Sequence, residues 1–455
     1  MAEKRPANYV LAFILFVLVC LLGYTTQRHE TITLLTLYSL FFAAYVWVIS
    51  KSTEDQLSFW IICAIGLRLL LLFAVPNLSD DFYRFIWDGR LLAAGHHPFA
   101  HLPSYYIENA ITIPGADHEL YEKLNSKHYF TIYPAVAQFV FAIAAKFSNS
   151  IYGCLLILKI TIVASEVGSI FLLKKLLERF NILRTHLLIY ALNPLVILEL
   201  TGNVHFEAIL IFFILFTLYF LCQERFYLAA LFLATSICVK LISMIFLPAI
   251  LPLLGLKKSI SFYLATLCFC VLFFLPFLDA KMINGFQNSL GYYFSRFEFN
   301  ASIYFLVREL GYLFVGYNIV GIAGGVLGLI AAISILMVTF QWPNRFQRLY
   351  RQIFTTSSES PKLWRFMQAI MWSLLVYFLF ATTLHPWYIT TLLALSIFIR
   401  YQFVIIWTYL IFLTYAGYAA DGFNENLLLT AFEYVIVLGY LAYEVWKRNR
   451  SASPI

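Results

Sequence analysis

The stretch SDDFYRFIWDGRLLAAGHHPFAHLP, from Ser79 to Pro103 in this 455-residue chain, is crowded with ionisable side chains. Its adjacent carboxylates, Asp80 and Asp81, suit a general base that takes the proton of an attacking hydroxyl. The plainer reading is that Ser79, Asp80 and Asp81 only cap a helix and complement its dipole. Arg84 and Asp88 stand one helical turn apart; they form either a surface pair worth little or an arginine fork ready for a phosphate. Farther along, Asn203, His205 and Glu207 make an N-x-H-x-E cluster near Glu199. At the end of an apolar run such groups are functional candidates, because leaving them unpaired is costly; a structural histidine bridging two helices is the alternative. Lys240, alone in CVKLISMIFLP, requires an anionic partner or a wet cavity unless it snorkels. His385, Trp387 and Tyr388 in HPWY join a histidine to two rings of the kind that anchor membrane interfaces. His96, His97, His101, His118 and His128 show no HExxH or comparable ligand spacing. An Asp-held divalent ion, Mg or Mn, is then the metal option left, and no cofactor is demanded.

The frame that positions these residues is lipidic. Hydrophobic residues are 62% of the chain and charged ones 12%, with mean hydropathy +0.81. That excludes a soluble protein and implies an all-α polytopic membrane fold, here with about fourteen transmembrane helices. The net charge of +7 is no argument for a nucleic-acid partner, since basic residues gather in cytoplasmic loops. All seven cysteines fall inside apolar runs, against a disulfide framework or a cysteine metal site. Ser79 to Asp81 start, and Gly95 stops, a helix from about Asp81 to Ala94. It sets Asp81, Arg84 and Asp88 on one face, while Phe82, Phe85 and Ile86 supply apolar surface for lying in a membrane interface. A second interfacial helix is expected within Thr131 to Phe147, with Tyr133 and Pro134 at its start. The stretch from Phe226 to Gly255, interrupted by Lys240, is one bent span or two. If Lys4 and Arg5 are cytoplasmic, so are Lys174 to Arg184, Lys257 and Lys258, the Arg345 to Arg365 loop and Lys447 to Arg450. The segment 76–150 is then extracytoplasmic, and the chain reads as one membrane domain, 1–455, with that segment as its catalytic loop.

DDFYRFIWDGRLLAAGHHPFAHLP, IYPAVAQFVF, ALNPLVILELTGNVHFEA, CVKLISMIFLP, FEFNASIY and HPWY, in this order from Asp80 to Tyr388, resemble the bacterial polyprenyl-phosphate-mannose-dependent mannosyltransferases of the GT-C superfamily. GHHPF and YPA stand where that family often has Gly-x-Asn-Pro-Tyr and Tyr-Pro-Pro. The resemblance implies a multi-pass enzyme of the bacterial inner membrane, and the distribution of basic residues puts both termini on its cytoplasmic side. Such an enzyme moves a hexose, mannose foremost, from a polyprenyl-phosphate donor to a hydroxyl of a glycan or lipid acceptor on the extracytoplasmic side. The family's acidic pair falls on Asp80 and Asp81, either of them the base. Donor phosphate falls to Arg84, Arg90, Lys240 and His385. Sugar or acceptor falls to Trp87, Asp88, Tyr133, Asn203, His205, Glu207, Asn300, Trp387 and Tyr388; Asn193 is a further matching position. One displacement without a second nucleophile implies inversion at the anomeric carbon. A transporter or flippase for lipid-linked sugars would also need intramembrane charge, but it should show two halves with matching broken spans, and the sequence has no such repeat.

Overall fold

The computed structural model describes residues 4–345, 361–419 and 422–451; most of the Arg345 to Arg365 loop lies outside the described residues. Helices dominate, as they must where lipid offers the backbone no hydrogen-bond partner. Among the described residues the exceptions are a ribbon of Tyr418–Ala419 against Gly422–Phe423 and an isolated bridge between Phe299 and Thr383. Seven helical stretches are long and apolar enough to cross a membrane: Pro6–Thr25, Thr31–Lys51, Ile151–Arg179, Leu256–Phe277, Val320–Phe340, Pro361–Phe380 and Leu427–Arg450. Arg184–Ala191 with Val196–Gly202 makes an eighth if the bent pair is one span. Other apolar runs of the expected fourteen fold as shorter helices, among them Glu207–Cys222, Phe226–Val239 and Phe403–Gly417.

The motif helix forms where the sequence places it, Asp81–Ala93. Gly95 follows at φ +81°, a left-handed value that glycine adopts without strain. This helix turns the apolar surface expected to meet a membrane interface toward protein: Phe82 and every residue from Arg84 to Leu91 are buried inside the fold. It can sink because its charges find partners there and its apolar side packs on a second helix, Ala135–Phe147. At their crossing a Cβ on Gly89 would stand 2.3 Å from the Phe141 carbonyl oxygen, so only glycine permits the approach. Phe85 stacks on Phe141 with ring centres 4.8 Å apart. The second helix begins directly after Pro134, and its 13 residues are too few to span a bilayer upright.

Two breaks in the bundle have local causes. Arg184–Ala191 and Val196–Gly202 meet at 57°, because Pro194 offers no N–H to continue the first half. Asn193 Oδ1 accepts the N–H groups of Leu195 (3.0 Å) and Val196 (3.3 Å) and starts the second half afresh. Buried Arg68 fixes the end of the first half by bonding the Ala191 carbonyl at 2.8 Å while it pairs with Glu166 at 2.8 Å. The second break is Lys240 itself, extended at φ −149° and ψ 131°, after Phe226–Val239 and before the 3₁₀ turn Leu241–Phe246. Leu247–Leu254 follows that turn. The stretch from Phe226 to Gly255 is therefore two helices with an extended lysine between them.

Candidate active site

A polar cavity of about 170 Å³ opens where these pieces meet. Asp80, Asp81 and Arg84 enter it from the start of the motif helix, Tyr133 from the turn before Ala135–Phe147, and Lys240 from the second break. His385, Trp387 and Tyr388 enter from the HPWY corner. A backbone pairing holds that corner: Phe299 N–H donates to the Thr382 carbonyl (3.1 Å) and Leu384 N–H to the Phe299 carbonyl (2.8 Å).

Neither aspartate side chain caps the helix. Asp80, at the N-cap position, makes no capping bond, and Ser79 Oγ accepts the Asp81 N–H at 3.3 Å. Asp80 pairs instead with Arg28 at 2.6 Å. Asp81 accepts from the Asn125 side-chain amide at 2.8 Å. Burial pushes the Asp81 carboxyl above the ordinary carboxylate range, against the opposing pull of the Asn125 bond and the Lys240 charge. A carboxylate so placed has a neutral partner and a raised affinity for protons, which suits a base; its neighbour is already neutralised by a guanidinium.

The cationic groups divide just as sharply. Lys240 Nζ bonds Glu207 at 2.5 Å and lies 5.8 Å from the Tyr133 ring centre and 5.2 Å from that of Tyr388. Arg84 is engaged on several sides: its Nε donates to Asp88 (2.8 Å) and its Nη1 to the carbonyls of Ser126 (2.9 Å) and Tyr129 (3.0 Å). It lines the cavity as a brace for the loop that carries Asn125. Arg90 does not reach the cavity; it donates to the carbonyls of Gly115 and Asn149 and so ties together distant parts of the segment 76–150. Burial and the nearby Lys240 lower the His385 pKa to about 3. At the cavity His385 therefore presents a neutral imidazole and no positive charge for a phosphate.

The other sequence candidates stand behind the wall. Asp88 is fully buried between Arg84 and Gln138, whose amide donates to it at 3.2 Å. Trp87 packs near Tyr106 and Tyr121. Asn203 accepts the Leu78 N–H at 3.2 Å and donates to Glu199, which steadies the residues just before Ser79. His205 stacks on the far side of Trp387, ring centres 3.6 Å apart, with His385 on the near side at 4.4 Å. Asn300 donates through its backbone to Glu425 and through its side chain to Glu433.

Arg28, Asn125, Tyr129, Tyr292 and Tyr418 complete the polar wall, and sequence patterns had singled out none of them. Arg28 alone had a usable signal, an arginine in the short turn Gln27 to Glu30 between the first two apolar runs. Asp80 and Asp81 are the carboxylates lining the cavity, and the described residues hold no group of three or more His, Cys, Asp or Glu able to bind a metal. A Mg or Mn ion bound by both aspartates would have to draw Asp80 away from Arg28.

A second cavity, about 310 Å³, adjoins the first and shares Tyr133, Lys240 and Tyr388 with it. Glu207 also reaches it, but Leu241, Ile242, Ile245 and Tyr377 make its walls largely apolar.

No curated protein matches the chain. The family model for the N-terminal domain of alpha-(1->6)-mannopyranosyltransferases, the MptA_B family, matches residues 14–255, more than half of the sequence and the part that contributes Arg28, both aspartates, Tyr133 and Lys240. With this match over a helical membrane fold, the chain belongs to that family of mannosyltransferases.

Proposed function

We propose that this glycosyltransferase moves mannose from a polyprenyl-phosphate donor to a hydroxyl of a glycan or lipid acceptor on the extracytoplasmic side of a bacterial inner membrane. The observation that carries the reading is the seam at Lys240, where a polar cavity holding two aspartates meets an apolar one. A polyprenyl-phosphate sugar divides in the same way, with an apolar chain, a phosphate at the junction and a polar sugar. Lys240 stands where that phosphate would fall, and a cation in a site partly shielded from water stabilises developing phosphate charge strongly.

The chemistry then follows from the groups present. The acceptor oxygen attacks the anomeric carbon, the bond from that carbon to the phosphate oxygen breaks, and the hydroxyl proton passes to Asp81. Polyprenyl phosphate leaves with the bonding electrons; Lys240 meets its charge and neutral His385 offers a hydrogen bond. Arg28 keeps Asp80 from competing as the base. A single displacement inverts the anomeric configuration. A divalent ion is dispensable in this scheme, so chelation should leave the rate unchanged.

The test is release of polyprenyl phosphate from radiolabelled polyprenyl-phosphate mannose by the purified protein in lipid nanodiscs. Asp81→Asn should abolish release in a folded protein, while Asp80→Asn retains part of it. If labelled lipid changes leaflet without release, and both variants behave as wild type, the protein moves lipid-linked sugars instead of transferring them.

A further inference from the structure

At the end of the bundle away from the mannosyl cavity lies a smaller chamber of about 80 Å³. Leu247–Leu254 runs toward it from the Lys240 break, and Pro361–Phe380 runs from it toward the HPWY corner. Pro252, Leu253, Thr339, Lys362, Arg365 and Phe366 line it. One water needs roughly 10–15 Å³ of such space, so the chamber has room for several waters or for one phosphate group.

Its polar groups are unmatched. Among the described residues neither Lys362 nor Arg365 has an ion-pair partner. Thr339 is buried, 3% exposed, and its hydroxyl has no hydrogen-bond partner. A helical threonine ordinarily returns its hydroxyl to the carbonyl one turn back, as Thr217 does to Phe213 and Thr235 to Leu231. Thr339 does not, and among the described residues its hydroxyl, closed off from solvent, is left without a partner at the chamber wall. The rest of the lining is apolar. An exposed lysine and a half-buried arginine, neither of them ion-paired among the described residues, stand with a buried unmet hydroxyl beside apolar walls, a set that suits an anion with an apolar part of its own.

We propose that this chamber binds the headgroup phosphate of an anionic phospholipid, with Lys362 and Arg365 on the phosphate and Thr339 donating to one of its oxygens. Basic pockets between spanning helices recognise such headgroups, and they do so on the cytoplasmic side. That is the side on which the distribution of basic residues places this end of the bundle. The site is separate from the mannosyl cavity and does not depend on the donor assigned to it.

Native mass spectrometry of the delipidated full chain, titrated with phosphatidylglycerol or phosphatidylcholine, tests the assignment. The wild type should retain one phosphatidylglycerol with about thirty-fold preference, and Lys362→Gln/Arg365→Gln should lose that preference, since each basic side chain favours an anionic headgroup by roughly five- to six-fold. Thr339→Val should weaken retention a few-fold on its own, which keeps the test decisive if the double variant is poorly folded. Lys258→Gln, at a nearby surface lysine outside the chamber, should change nothing. Equal retention of both lipids by the wild type, or an unchanged preference in the variants, overturns the proposal. Displacement of the lipid by millimolar inorganic phosphate overturns the lipid assignment and makes this a site for the free anion.

Discussion

Asp80 to Arg84, with two aspartates and an arginine, and Trp87 to Arg90, with one of each, belong to one short segment, yet they end in opposite situations. In the first part Asp80 and Asp81 face a cavity, one held by an arginine from another turn and the other by a neutral amide. In the second, Asp88 and Arg90 are buried, with their hydrogen-bonding groups directed to Arg84, Gln138 and loop carbonyls. The two parts teach that charge density marks a region, whereas reactivity needs a group whose bonding capacity is left over and faces open space. Arg84 marks the border, touching the cavity while its donors are engaged.

The largest effect should come from Asp81→Asn, which on this contrast lowers mannose transfer by about 10³-fold, the usual scale for loss of a general base. The donor should still bind, and thermal stability should hold. Asp88→Ala should do the reverse, destabilising the protein by roughly 3 kcal/mol because it strands Arg84 as a buried unpaired charge. The enzyme that remains folded should keep its KM, and a loss confined to kcat would break the comparison. Lys240→Gln should raise the donor KM about tenfold, equivalent to roughly 1.4 kcal/mol of binding, with less change for the acceptor.

A pH–rate profile sharpens the contrast further. In the proposed mechanism Asp81 works as a carboxylate, so activity should be present above its folded-state pKa and be lost as pH falls through it. Burial and the neighbouring Asp80 raise that pKa, while Asn125, Lys240 and Arg28 lower it. Arg28→Gln removes one lowering charge and frees Asp80 beside it, so the acid limb should move to higher pH; a shift to lower pH would sink the assignment of Asp81. The smallest effect belongs to Trp87→Phe, expected to cost under about 1 kcal/mol, since the indole N–H is buried without a partner.

Much of the frame was legible because its causes are local. The motif helix forms where expected and stops at Gly95, whose left-handed backbone ends it, whereas the 57° break at Asn193 and Pro194, though its cause is equally local, falls inside an apolar run that hydropathy reads as one span. Lys240 was visible as an anomaly because a single charge in an apolar run must be answered, and the structure answers it with Glu207. The site was legible only in part. Asn300, Asn203 and His205 carry the same signal as Tyr133 or Tyr388, a polar or aromatic group at the end of an apolar run, yet they hold the wall from behind.

By itself, then, the sequence determined the membrane class, the helix that bears the aspartates and the interruption at Lys240, since hydropathy and backbone chemistry act within a few residues. Which charges remain available was decided only by the tertiary structure. Arg28 with Asp80, Asn125 with Asp81 and Arg68 with Glu166 are partners far apart in the chain, and whether a buried charge is spent on a partner or left to face a cavity depends on distances that no local pattern encodes.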